Sequence, residues 1–294
     1  MVDFVQVSHG RRLAFQQEGA QDGHPLFLLH GTPGSRLAPR PRSSLLRRLN
    51  IRLITYDRPG YGESDRQPDR TVADCAADVA LLADHLDVRR FAVAGRSGGG
   101  PHALACAALL GDRVTRCAAL VALAPRLAEG LDWLAGMTAS NVREYLAAAN
   151  GRPHLAQSLT PAADGIRADP VRLIESLYHE LPIADRQVVS DIGIRAQLEV
   201  NYAEALKNSA DGWIDDLLAF IAPWGFDPGR ITVPTFLWHG TEDVFSPIGH
   251  SLWLARHIPT ALLSVRPGAA HFDALDALPR ILPWLIGSGD PALN

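Results

Sequence analysis

Short apolar runs, each closed by a polar residue or a glycine, alternate along this chain with segments whose apolar residues recur at helical spacing. The runs are "PLFLLHG" (25–31), "IRLITYD" (51–57), "FAVAGRS" (91–97), "RCAALVALAP" (116–125), "TVPTFLWHG" (232–240) and "ALLSVRPG" (261–268). Strands that are apolar along their whole length are buried on both faces, as in parallel sheets covered by helices. Between them, residues 71–88 place apolar side chains at 72, 75, 76, 79, 82 and 86, with Thr71 as the expected cap. "GPHALACAALLG" (100–111), Ile248–His257 and Ala274–Ile286 read as further helices. The alternation predicts an α/β fold with a mostly parallel central sheet and helices on both faces.

Two N-terminal strands are expected near Val2–Val7 and Arg12–Gln17, joined by a turn at "SHG". A short helix follows from about Ser43, and the arginines at 36, 40, 42, 47 and 48 read as a solvated helix face rather than a phosphate site. After Pro125 the pattern changes: residues 126–229 read as helical and irregular, with tryptophans and tyrosines scattered through them. This predicts a core made of residues 1–125 and 230–294, with 126–229 inserted as a helical cap. No internal repeat or low-complexity segment interrupts the 294 residues.

A balance of 28 basic against 32 acidic residues gives a net charge of -4, which argues against nucleic acid or an anionic membrane as partner and favours a small-molecule substrate. The three cysteines, Cys75, Cys106 and Cys117, fall in apolar segments and read as reduced core thiols. The opening "MVDFVQVSHGRR" has no basic stretch followed by an apolar core, and no run approaches the roughly 18 apolar residues of a membrane span. A cytoplasmic protein is therefore expected; assembly into a homo-oligomer is left open.

Chemistry is concentrated at three places. "GRSGG" (95–99) matches Gly-x-Ser-x-Gly between an expected strand and an expected helix, as a nucleophile elbow requires. Gly95 and Gly99 remove side chains where the chain doubles back, and Pro101 suits the first helical turn, where its missing N–H is no loss. Ser97 at the apex needs a base to become a nucleophile, and imidazole is suited to that at neutral pH. Of 11 histidines, His102 would ride on the helix directed away from Ser97, whereas His271 in "RPGAAHFD" lies just past the last strand. The base in turn needs an acid; Asp243 in "HGTEDVFSP" is favoured over the adjacent Glu242 because neighbouring side chains point in different directions. The third place is "HGTPGS" (30–35): the Thr32 N–H, in a loop kept tight by glycines and proline, pairs with the Gly98 N–H as an expected oxyanion hole.

With "HGTPGS", "YDRPGYGES" (56–64), "GRSGGGPHALA", "HGTEDVFSP" and "PGAAHF" together, the chain resembles the α/β-hydrolase family over nearly all of its length except residues 126–229. The resemblance implies Ser97 as nucleophile, Asp243 as acid, His271 as base, and Thr32 with Gly98 as oxyanion hole. It gives "YDRPGYGES" a structural turn and no chemistry. The implied function is a cofactor-free serine hydrolase of small, largely apolar esters or lactones, with no metal. The family's proline iminopeptidases remain an alternative, with Glu180, Glu199 or Glu204 as the acid that would hold a substrate amine. Carbon–carbon bond hydrolases and a non-hydrolytic ligand-binding protein on the same fold are the others.

Overall fold

The computed structural model describes residues 2–7 and 10–290. Eight strands form one sheet: β1 (Asp3–Gln6), β2 (Arg12–Gly19), β3 (His24–Leu29), β4 (Ile51–Tyr56), β5 (Phe91–Arg96), β6 (Val114–Leu120), β7 (Thr235–Gly240) and β8 (Ala261–Arg266). Their order is β1-β2-β4-β3-β5-β6-β7-β8. β2 runs antiparallel to both β1 and β4, and every pairing from β4 through β8 is parallel. Of the turn expected at "SHG", Ser8 and His9 lie outside the described residues.

Period-two alternation within the buried strands divides the core in two. Phe27, Leu29 and Val93 pack on the face covered by α2 (Asp74–His85), α3 (Gly99–Leu109) and α10 (Gly249–His257). Leu26, Leu28, Ala92 and Ala94 pack on the opposite face, with Leu46 of α1 (Ser43–Arg48) and Leu278, Ile281 and Leu282 of α11 (Ala274–Leu285). The predicted apolar stripe of α2 is buried at Val72, Cys75, Ala76, Val79 and Leu82. Thr71 does not cap this helix; it donates its N–H and hydroxyl to Asp74 Oδ2 at 2.6 and 2.8 Å, so an acid of the first turn reaches back to the threonine. The three cysteines are buried and unpaired.

Between β6 and β7 the chain forms α4 (Ala139–Ala149), α5 (Arg152–Ala168), α6 (Arg172–Leu177), α7 (Ile183–Ser190), α8 (Ile192–Ala205) and α9 (Asp211–Ile221). α4 starts on a Thr138 cap that accepts the Asn141 N–H, and α8 on an Asp191 cap that accepts the Ile194 N–H. Among the described residues no helix is long and apolar enough to cross a membrane. The arginine run is not a uniformly solvated face: Arg36 is buried and paired with Asp57 at 2.5 Å and Glu204 at 2.6 Å, while Arg40 pairs with Glu18. A carboxylate from a segment more than a hundred residues away, invisible to local periodicity, draws Arg36 inward.

Candidate active site

The segments singled out in the sequence all lie just beyond the carboxyl ends of parallel strands, the edge at which open α/β sheets bind ligands. Thr32 follows β3, Ser97 follows β5, Asp243 follows β7 and His271 follows β8. β5 is central, flanked by β3 and β6, so Ser97 stands in the middle of that edge.

Ser97 has φ +55, a left-handed conformation that costs a non-glycine residue on the order of 1–3 kcal/mol and persists only where its surroundings impose it. Here they do. The Ser97 N–H donates to Leu120 O at 2.9 Å and Ser97 O accepts the Gly100 N–H at 2.8 Å. The turn closes only because small residues surround it: a Cβ on Gly95 would lie 2.0 Å from Gly99 O, and one on Gly98 would lie 2.2 Å from Thr32 Oγ1.

His271 is buried, with Nδ1 2.8 Å from Asp243 Oδ2. Asp243 Oδ1 accepts the N–H groups of Phe245 at 2.8 Å and Ser246 at 3.0 Å, and His239 Nε2 lies 3.3 Å from Oδ2. Burial opposes ionisation of this carboxyl, but the charge of His271 and the hydrogen bonds from His239 and His271 outweigh it, holding Asp243 below the usual carboxylate range. An ionised acceptor of this kind orients an imidazole through one nitrogen and leaves the other free for chemistry. Glu242, the neighbouring alternative, is exposed. His102 sits on α3 with Nδ1 2.7 Å from Gly98 O. Burial, then the charge of Arg58, pushes it down to about 3, a value unsuited to a general base.

Neither the Thr32 N–H nor the Gly98 N–H donates a hydrogen bond within the described residues. A Cβ placed on Gly31 would be 4.0 Å from Ser97 Oγ, so the Thr32 loop lies against the serine. What holds that loop was not evident from the sequence. Asp216 of α9 is fully buried, accepts from Thr32 Oγ1 at 2.5 Å, Tyr61 OH at 2.9 Å and Arg58 Nη2 at 2.5 Å, and forms an ion pair with Arg70 Nη2 at 2.7 Å. Arg58 Nη2 also donates to Gly31 O at 3.0 Å, and its Nη1 to His30 O. The "YDRPGYGES" turn thus acts on the loop through Arg58 and Tyr61. Burial raises the cost of the Asp216 charge, yet Arg58 and Arg70 hold its carboxyl well below the usual range.

Ser97, His271, Thr32 and Gly98 line one cavity of about 110 Å³, whose far wall is apolar side chains of α4, α6 and α9, among them Leu173, Trp213 and Phe220. Glu180, Glu199 and Glu204 do not line it. Glu180 takes the Ser140 hydroxyl, Glu199 pairs with Arg195, and Glu204 pairs with Arg36 and Lys207. The acid that does line it is Glu144 of α4, which sequence reading missed: an isolated glutamate on an amphipathic helix gives no sign of which way it faces. Burial pushes Glu144 up to about 7 from 4.5. Its folded form therefore holds a proton that the unfolded form releases, so the penalty is absent below pH 4.5 and complete above about 7. Thermal melts at pH 4.5, 6 and 8 are expected to show wild type losing stability relative to Glu144→Gln as pH rises; a constant difference across the three would mean that the carboxyl titrates normally.

A family profile described as alpha/beta hydrolase fold matches residues 24–278, and the chain belongs to that family. It is 28% identical over 276 residues to the dihydrolipoyllysine-residue acetyltransferase component of an acetoin cleaving system from Pseudomonas putida; the match covers 92% of this chain but spans 65% of that relative. A pimeloyl-[acyl-carrier protein] methyl ester esterase from Nitrosomonas europaea is 27% identical over 262 residues, covering 86% of this chain and 91% of the relative. Among solved structures, an enol-lactonase from Burkholderia xenovorans LB400 superposes with a TM-score of 0.71 at 21% identity, covering 97% of this chain and 99% of the other.

Proposed function

We propose that the protein is a serine hydrolase of small acyl compounds, esters or lactones, working through an acyl-enzyme under a lid formed by α4–α9. The observation that carries this reading is the convergence on one cavity of Ser97, the His271–Asp243 pair and two backbone N–H groups with no acceptor among the described residues. In this scheme His271 takes the Ser97 proton as Oγ attacks the acyl carbonyl, and Asp243 stabilises the imidazolium. The N–H groups of Thr32 and Gly98 receive the oxyanion, where loss of one such donor costs about 100- to 1000-fold in rate. His271 then protonates the leaving alcohol and activates water to release the acid. The similarity to an esterase over most of both chains supports this reading. The three glutamates considered as amine anchors for an iminopeptidase all have other partners, which counts against that alternative.

The direct test is labelling with an alkyl fluorophosphonate, followed by peptide mass spectrometry. One covalent adduct, on Ser97, is expected, together with turnover of short acyl aryl esters without added cofactor. A protein left unlabelled and inactive on every ester would sink the serine-hydrolase reading and favour a ligand-binding role.

A further inference from the structure

Arg96, the residue immediately before the elbow serine, lines the same cavity as Ser97 and His271. A guanidinium carries five N–H donors and stays charged in proteins, so a part-buried arginine without an acceptor is unusual. Around this cavity the other arginines are matched: Arg36 by Asp57 and Glu204, Arg58 and Arg70 by Asp216. The Arg96 guanidinium makes no hydrogen bond or ion pair within the described residues; its Cζ lies 5.9 Å from the centroid of the Phe272 ring. Its nitrogens are not among the sealed polar atoms of the interior, and Arg96 also borders a second, smaller cavity with His30, Ser35 and Leu275. The ring beside them belongs to Phe272, which with Tyr202 walls the cavity.

The nearest carboxylates do not neutralise it. Asp243 is engaged by His271 and by the N–H groups of Phe245 and Ser246. Asp185 Oδ1 accepts the Phe272 N–H at 2.7 Å, and its buried Oδ2 has no hydrogen-bond partner among the described residues. Neither comes within ion-pairing distance of Arg96. The Tyr202 hydroxyl, also without a hydrogen bond among the described residues, supplies one further donor at the same wall. Two lining residues of this cavity, a cation and a hydroxyl without acceptors of their own among the described residues, match one ligand chemistry, a planar anion able to take parallel N–H bonds.

Resting on the serine-hydrolase reading above, we propose that Arg96 and Tyr202 form a subsite for a carboxylate of the substrate, so that the preferred substrates are small esters or lactones bearing a free carboxylate. The site then accounts for both ends of such a molecule: Ser97 and its N–H donors at the acyl carbon, Arg96 at the charged end.

Two matched pairs of esters test this. Monophenyl glutarate against phenyl pentanoate places the charge on the acyl side; the butyrate ester of 4-hydroxybenzoate against phenyl butyrate places it on the leaving group. In at least one pair the charged ester is expected to show kcat/KM about 10- to 100-fold higher, the worth of a charge-assisted hydrogen bond or two. Arg96→Met is expected to erase that preference through KM, bringing the charged ester of the pair to the level of its neutral partner; Arg96→Lys retains part of it. Equal rates within both pairs, or a loss in Arg96→Met that is the same for charged and neutral esters, would overturn the subsite. Binding of glutarate and of 4-hydroxybenzoate to Ser97→Ala, followed by calorimetry, separates this claim from the catalytic one. If no ester is hydrolysed but an anion binds and Arg96→Met abolishes the binding, the hydrolase reading fails and the anion site stands. Binding of neither anion to an otherwise active enzyme removes the site and keeps the hydrolase.

Discussion

Ser97→Ala is expected to lower ester turnover by up to about 10⁶-fold, leaving only what the two N–H donors and binding supply. The size of the effect follows from the division of labour in the proposed site. His271, fixed through Nδ1 by Asp243 at 2.8 Å, has no other hydroxyl to activate at the apex of the elbow, so removing Oγ removes the nucleophile and the base's purpose together. For the same reason His271→Ala should be about as damaging, and the double variant no worse than either single one. Asp243→Asn should cost less, about 10⁴-fold, because the imidazole remains but loses its orienting acceptor. Steady-state kinetics on one aryl ester, with folded state checked by circular dichroism, decides the matter. More than a few per cent of wild-type activity in Ser97→Ala, or additive losses in the double variant, would exclude this mechanism.

The second large effect concerns stability. Asp216→Asn leaves Arg58 and Arg70 buried without their counter-charge, and breaking a buried pair on one side costs about 3–5 kcal/mol. A chain of this size should lose roughly 5–15 °C in Tm. Activity should fall as well, because the same carboxylate holds Thr32 Oγ1 and, through Arg58, the carbonyls of His30 and Gly31. A misplacement of the Thr32 loop of about 1 Å is worth on the order of 100-fold in kcat. Tyr61→Phe removes one donor and keeps both ion pairs, so it is the control: about 1 kcal/mol of stability and little activity. Scanning calorimetry beside ester kinetics gives both readouts, and a wild-type Tm for Asp216→Asn would show that the pairs contribute nothing net.

The hydrophobic pattern alone determined the architecture, because strands buried on both faces and helices with one apolar stripe each leave a local period in the chain. β3, β5 and β7 are readable as apolar runs, and the elbow is readable because its turn admits only small residues at Gly95 and Gly99. The places of Ser97, Asp243 and His271 were legible for a related reason: each stands at the end of its own strand, and parallel strands in one sheet carry their ends to one edge. Which histidine meets which acid, however, was decided by the fold, which brings Asp243 to His271 and leaves Glu242 exposed. The tertiary structure alone decided the surroundings of the site. Thr32 meets Asp216 from 184 residues away, and Arg58 meets it from 158. Glu144 turns into the cavity while Glu180, Glu199 and Glu204 turn to partners elsewhere, and the Arg96 side chain is left without a partner among the described residues. Pairings of charged groups across the chain have no period and no spacing; they follow from packing, and only the packed chain reveals them.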